Sequence, residues 1–203
     1  TVLQQGTRLT MIKMTLTEMA KYLDGTTITQ DAECIGLSRD TRSLAKQNLY
    51  VAIRGENFDG HDFVKDAYQK HAAAALVDHE IDCPIPQIIV KDTIAALGKI
   101  AAAWRSRFNI PFVGVTGSNG KTTLKNMIAS ILRAAAGSEA NVLATEGNLN
   151  NNIGVPLMLA RLNDKHRYSV IEMGMNHFGE IDYLTHLVKP AVAVVNNAAA
   201  AHL

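Results

Sequence analysis

The chain has little cysteine and almost no charge imbalance. Its 203 residues include two cysteines, Cys34 and Cys83, far apart and in no metal-type or C-x-x-C spacing. That argues against a disulfide scaffold and suits reduced thiols in a cytoplasmic protein. Lysine and arginine total 20 against 19 for aspartate and glutamate. No basic field marks a nucleic-acid partner, and no acidic tail marks a solvating segment. Any bound anion must therefore be held by local sites. No apolar run approaches the roughly 20 residues that a membrane helix needs, so no membrane insertion is expected. Residues 1–10 lack an apolar signal core and read as an upstream or tag-like segment before Met11. Internal repeats, low-complexity tracts and an N-K-x-D guanine-reading block are all missing.

Apolar residues are plentiful, at 47%, which is enough for one or two real cores. Along residues 11–108, a helix is predicted from Thr17, capped by Thr15 or Thr17 and stopped by Gly25. Strands are predicted at 49–53, 73–77 and 87–90. A turn at 58–61 leads into a helix over 62–71, with Phe63, Ala67 and Tyr68 near one face. A strong alanine-rich helix spans 93–108. Asn109-Ile-Pro111 reads as a linker, and a domain boundary is placed there. Residues 109–203 then alternate strand and helix: strands at 112–115, 141–144, 168–172 and 192–195, helices at 121–135, 153–162 and 180–188. This alternation predicts an α/β fold in which a parallel sheet is covered on both faces.

The strongest chemical signal is Val113-Gly-Val-Thr-Gly-Ser-Asn-Gly-Lys-Thr-Thr123. It follows a predicted strand and opens a predicted helix, the context in which a phosphate loop works. Gly117 and Gly120 let the backbone of Ser118 and Asn119 turn its amides around phosphate oxygens. Lys121 supplies a point charge for the terminal phosphates. The Thr122 hydroxyl is a magnesium ligand candidate, and Thr123 closes the motif. The loop departs from G-x-x-x-x-G-K-[ST], because Val115 stands where the first glycine belongs.

Further on, Glu146-Gly-Asn-Leu-Asn-Asn-Asn-Ile-Gly-Val-Pro156 is rich in asparagine. On its residues alone it reads equally as a solvated turn with a helix cap at Asn151 or Asn152. Glu172 stands at the carboxyl end of a strand beside the phosphate loop, a place suited to a magnesium ligand. His177 reads either as a metal or phosphate neighbour or as an exposed loop histidine. In the first half, Asp40 and Arg42 read on their own as a turn with a surface ion pair.

Thr116 to Thr123 resembles the T-G-[ST]-N-G-K-T-[TS] loop of the Mur ligases and their folate-tailing relatives. The spacing that departs from the common loop matches this form throughout. The Asn-rich segment resembles the branch of the Mur ligases that adds D-alanyl-D-alanine to a UDP-linked muramoyl tripeptide. Two blocks near the start, Ser38-Arg-Asp-Thr-Arg42 and Ile53-Arg-Gly-Glu-Asn-Phe-Asp-Gly-His-Asp-Phe63, are similar to the family's UDP-binding domain. About 110 residues precede the loop, which disfavours the folate-tailing ligases, where the loop lies near the amino terminus. The Asn-rich segment disfavours the diamino-acid-adding Mur ligases, and the loop spacing disfavours a regulatory GTPase. A nucleotide-binding scaffold without catalysis fits poorly with Lys121, Thr122, Glu172 and His202 all retained.

The resemblance implies a UDP-substrate-binding domain over 11–108 and part of a central ATP-binding domain over 109–203. It implies ATP and Mg2+ as cofactors, with magnesium on Thr122, Glu172 and His202, the last in a block that matches N-x-x-x-A-H. It makes Lys121, Glu172 and His202 the catalytic candidates. Substrate contacts are implied at Asp40, Thr41, Arg42, Gly60, His61, Asn148, Asn150 and Asn151, with Arg42 and His61 directed at a diphosphate. The reaction implied is carboxylate activation as an acyl phosphate followed by amine attack. The partners are UDP-N-acetylmuramoyl tripeptide and D-alanyl-D-alanine, and the full-length enzyme is a cytoplasmic monomer. In the family a carbamylated lysine and an amine-binding domain lie beyond the position of His202, so residues 1–203 alone are expected to be catalytically silent.

Overall fold

The computed structural model describes residues 11–199. The first part of the chain builds β1 (Lys13–Thr15), α1 (Leu16–Ala20), β2 (Thr27–Ile28), β3 (Glu33–Ile35), β4 (Leu37–Ser38) and β5 (Leu49–Val51). It continues through α2 (Val64–Gln69), β6 (Ala74–Val77), β7 (Gln87–Ile89) and α3 (Thr93–Arg105). Five of these strands form a sheet in the order β2-β7-β6-β5-β4, parallel except for β2 against β7. β1 and β3 form a separate antiparallel pair.

Local chemistry explains several boundaries. Thr15 starts α1 with a reciprocal cap: its hydroxyl accepts from the Glu18 amide, and the Glu18 carboxylate accepts from the Thr15 amide. Asp92 starts α3 by accepting from the amides of Ile94 and Ala95. Helix α2 is shorter than the apolar pattern suggests, because Asp59 caps a 3-10 turn over Gly60–Phe63 first. Val64 and Ala67 are the buried positions of α2, whereas Phe63 and Tyr68 are exposed. Of the expected face of Phe63, Ala67 and Tyr68, Ala67 is buried as part of it, and Val64 takes the place of Phe63 and Tyr68.

The second part contains β8 (Phe112–Thr116), α4 (Lys121–Ala136), β9 (Val142–Ala144), α5 (Gly154–Leu159), β10 (Tyr168–Glu172), α6 (Glu180–Val188) and β11 (Val192–Val195). Its four strands are all parallel, in the order β11-β8-β10-β9. Alternating strand residues serve opposite faces. Val115, Val142 and Val170 pack with Ala129 of α4, while Phe112 and Ile171 pack with α5 and α6 through Val155, Met158, Leu184 and Val188. Helices thus cover both faces at β8, β10 and β9, whereas the edge strand β11 is exposed along most of its length, at Val192 and Val195 above all.

Helix α3 joins the two parts. Ala96, Leu97 and Ile100 pack into the core of the first sheet, and Ala101 packs into the core beneath the second. Gly98 lets α6 approach so closely that a Cβ there would stand 2.0 Å from the Tyr183 hydroxyl. Arg105 lies over the Phe112 ring and donates to the carbonyls of Val188, Phe108 and Lys189. The Trp104 indole donates to the Leu162 carbonyl. No helix among the described residues is long and apolar enough to cross a membrane.

Candidate active site

The phosphate loop leaves β8 at Thr116 and enters α4 at Lys121. It turns through Gly117 (φ 142°) and Gly120 (φ 75°), conformations that favour glycine. A Cβ on Gly120 would also come within 2.6 Å of the Asn196 side-chain nitrogen.

Residues just past β11 hold this loop from the other side. Asn196 Nδ2 donates to the Asn119 carbonyl at 2.7 Å. The Asn119 amide donates to Asn197 Oδ1 at 2.9 Å, and the Ser118 amide donates to the Asn197 carbonyl at 3.1 Å. The Ser118 hydroxyl donates to the Ala199 carbonyl and accepts from its amide. Sequence reasoning weighed this block only for His202, which lies outside the described residues, and missed Asn196 and Asn197. The signal available was a pair of asparagines directly after an apolar strand.

Lys121 lies across the loop, with its ammonium donating to the carbonyls of Gly117 at 2.6 Å and Ser118 at 3.2 Å. One residue on, the Thr122 hydroxyl donates to Glu172 Oε2 at 3.0 Å. Thr123 is exposed. The Glu172 carboxylate is 2% exposed, and its other oxygen accepts from Asn150 Nδ2 at 2.8 Å. Two candidates from distant segments, Thr122 and Asn150, thus converge on the carboxylate of a third. A buried carboxylate next to a hydroxyl, at a strand's carboxyl end, is an oxygen donor set that suits a hard divalent cation such as Mg2+.

The other asparagines play different parts. Asn151 accepts from the amides of Ile153 and Gly154 and starts α5, while Asn148 is exposed and lends its carbonyl to the Asn150 amide. His177 is exposed beside Glu180 at 3.5 Å. It stands with Met175, Phe178, Val195 and Asn197 around a cavity of about 820 Å³ next to Gly117 and Lys121.

A second cavity, about 480 Å³, lies on the first part and is lined by Arg39, Asp40, Thr41, Arg42, Phe58 and Phe63. Arg42 grips Asp40 with its guanidinium and its amide, and these bonds hold the Asp40 carboxyl down to about 2. Phe58 and Phe63, both exposed, add aromatic walls, a role the sequence reading gave to neither. A further cavity shares Arg39 and Asp40 and continues to Leu149 and Arg161.

Gly60 and His61 lie behind this surface. Gly60 sits against the Ile53 backbone and accepts from the Tyr50 hydroxyl. His61 is 5% exposed; Nε2 accepts from the Asp78 amide at 3.1 Å and Nδ1 meets Asp59 Oδ1 at 2.5 Å. With both ring nitrogens engaged, His61 braces the loop. The expected charge-assisted contact with a diphosphate is not the role its placement offers.

Against this geometry, the Mur ligase middle domain matches residues 115–203, and the Mur ligase family catalytic domain matches residues 34–105. The chain belongs to the Mur ligase family. Among Mur ligases, it is 44% identical over 195 residues to the UDP-N-acetylmuramoyl-tripeptide–D-alanyl-D-alanine ligase of Haemophilus influenzae, covering 95% of this chain and 43% of that protein. The Escherichia coli ligase of the same name is 45% identical over 193 residues, covering 95% and 42%. The chain therefore spans less than half the length of these curated relatives. A crystal structure of MurF from Acinetobacter baumannii is similar with a TM-score of 0.86 and 36% identity, over 95% of this chain and 43% of that one. The Thermotoga maritima MurF ligase in complex with ADP is similar with a TM-score of 0.71 and 29% identity, over 80% and 37%.

Proposed function

We propose that this chain supplies the UDP-substrate-binding domain (11–108) and part of the central ATP-binding domain (109–203) of a cytoplasmic ligase. The ligase joins D-alanyl-D-alanine to UDP-N-acetylmuramoyl tripeptide in peptidoglycan precursor synthesis. The observation that carries this reading is the meeting of Thr122, Asn150 and Glu172. It couples the phosphate loop to the Asn-rich segment in which this branch of the family differs from the others.

Each region has a part in the reaction. The amides of Gly120 to Thr123 receive the ATP phosphates, those of Ser118 and Asn119 being bonded to Asn197 instead, and Lys121 neutralises the β and γ phosphates. Thr122 and Glu172 are the oxygen donors that would hold Mg2+, which supplies charge neutralisation between the phosphates; His202 is a further ligand candidate. Arg42, Arg39 and Thr41, with Phe58 and Phe63 beside them, receive the uridine diphosphate end of the precursor. The cavity shared through Arg39 and Asp40 leads from there towards Leu149, next to Asn150. An extended substrate lying along it brings its distal carboxylate towards the γ-phosphate. That carboxylate takes the phosphoryl group with release of ADP, and the dipeptide amine then displaces phosphate to form the amide. The ADP bound by the Thermotoga maritima relative supports the nucleotide assignment.

Phosphate release by the full-length ligase carrying this sequence tests the proposal. It should require ATP, UDP-muramoyl tripeptide and D-alanyl-D-alanine together. Release driven by a diamino acid with a UDP-muramoyl dipeptide, and not by the dipeptide amine, would reject it.

A further inference from the structure

Lys125 has no part in the scheme above, yet it is only 6% exposed. It lies one turn after Thr122 and shares the buried side of α4 with Ala129. Its neighbour on that side, Ala129, belongs to an apolar cluster with Val115, Val142 and Val170. An ammonium buried there must be compensated by its partners, because leaving water costs a charged group more than it costs an apolar one. Among the described residues its hydrogen-bond acceptor is the Thr145 carbonyl, at 2.7 Å.

Thr145 is itself buried, and it is the first residue past β9 as the chain turns into the Asn-rich segment. Its amide donates to the Val170 carbonyl at 3.0 Å, and its hydroxyl accepts from the Glu172 amide at 2.8 Å. A short relay thus runs from Lys125 through Thr145 to the main chain of Glu172. It links the helix that bears Thr122, the segment that bears Asn150 and the strand that bears Glu172.

We propose that Lys125 is a positioning residue for the Thr122–Asn150–Glu172 cluster. By fixing Thr145 it sets the height of Glu172 at the end of β10 and the point where the Asn-rich segment departs. The Glu172 carboxylate then meets Thr122 and Asn150 before any ligand arrives. The proposal rests on the reading of this cluster as the nucleotide–metal site. Groups that orient a metal ligand typically change affinity or activity by about 10- to 100-fold when removed.

The test uses the full-length ligase with Lys125→Met, Thr145→Val and Glu172→Gln. Two readouts do not depend on turnover. The first is Mn2+ binding followed by electron paramagnetic resonance with a non-hydrolysable ATP analogue. The second is hydrogen exchange, in metal-free protein, of peptides covering 142–150 and 168–173. Lys125→Met should weaken Mn2+ binding by about 10- to 100-fold and speed exchange in both peptides, while exchange in β6 stays unchanged. Thr145→Val should reproduce this, and the double variant should be little worse than either single one. Wild-type Mn2+ affinity and exchange in Lys125→Met would overturn the proposal. Should Lys125→Met fail to fold, wild-type values in Thr145→Val would overturn it equally. If Glu172→Gln leaves Mn2+ binding intact, the metal reading has failed, and the exchange data alone then decide the role of Lys125.

Discussion

The Thr122 hydroxyl donates to the Glu172 carboxylate at 3.0 Å, across 50 residues of sequence. Glu172→Gln keeps the shape and removes the charge, so half-maximal turnover of the full-length ligase should need about tenfold or more additional Mg2+. A magnesium titration that superimposes on wild type would remove Glu172 from the metal site.

Lys121 offers the phosphate loop a charge that no neighbouring backbone group supplies. Lys121→Ala should lower turnover at least about 10²-fold, the scale for losing one preorganised charge stabiliser. Single-turnover measurements at saturating ATP check this; a near wild-type rate would exclude the loop from the mechanism.

Arg42 and the phosphate loop occupy different parts of the structure. Arg42→Ala should raise the KM for the UDP precursor and leave that for ATP nearly unchanged. Equal change in both constants would indicate damage to folding rather than loss of a contact. The substitution also frees Asp40, so its carboxyl should titrate closer to the ordinary value in the variant.

These three assignments were legible to different degrees. The bounds of α6 could be read from its apolar spacing after Gly179, and β11 from an unbroken apolar run just past Pro190. The two- and three-residue strands β1 to β4 could not, since so short a segment has no period and is held by partners remote in sequence. Arg42 was legible through the block that resembles the family's UDP-binding domain, but the cavity it shares with Phe58 is a product of tertiary structure. His61 shows the opposite limit. Its motif announces importance, but the inward turn of its ring depends on Asp78, 17 residues away.

Gly98 makes a steric prediction with an unusual sign. In an exposed helix interior, Gly→Ala stabilises by about 1 kcal/mol. Here the new Cβ would meet the Tyr183 hydroxyl at 2.0 Å, and overpacking of this kind costs about 1–3 kcal/mol. Gly98→Ala should therefore destabilise, and adding Tyr183→Phe should recover much of the loss because the next nearest atom is 3.2 Å away. Urea unfolding of the two variants checks this; a stabilised Gly98→Ala would refute the close approach of α3 and α6.

Asp78 gives a pH-dependent prediction. The hydrogen bond from Arg54, and a further one from His79, hold its carboxyl well below 3.8 despite partial burial. A depressed carboxylate stabilises the fold above its unfolded pKa, and that contribution fades as pH falls through the folded value. The stability gap between wild type and Asp78→Asn should be widest near neutrality and narrow progressively below about pH 4. Urea midpoints measured down the pH scale would refute this if the gap stayed constant.

Helix α3 has an architectural consequence for anyone who divides this protein. Its sequence ends before residues 109–111, where the sequence alone would divide the chain, yet its flanks belong to two cores. Expressing 11–108 alone would strip Ala101, Phe108 and the Gly98 notch of their cover, and would cut Arg105 and Trp104 from the carbonyls they hold. Expressing the remainder alone would leave Leu162, Leu187 and Tyr183 facing water. Neither product of a cut at residues 109–111 would inherit a finished surface. The two sheets should melt in one transition, and mechanical strain on either should be felt by the other.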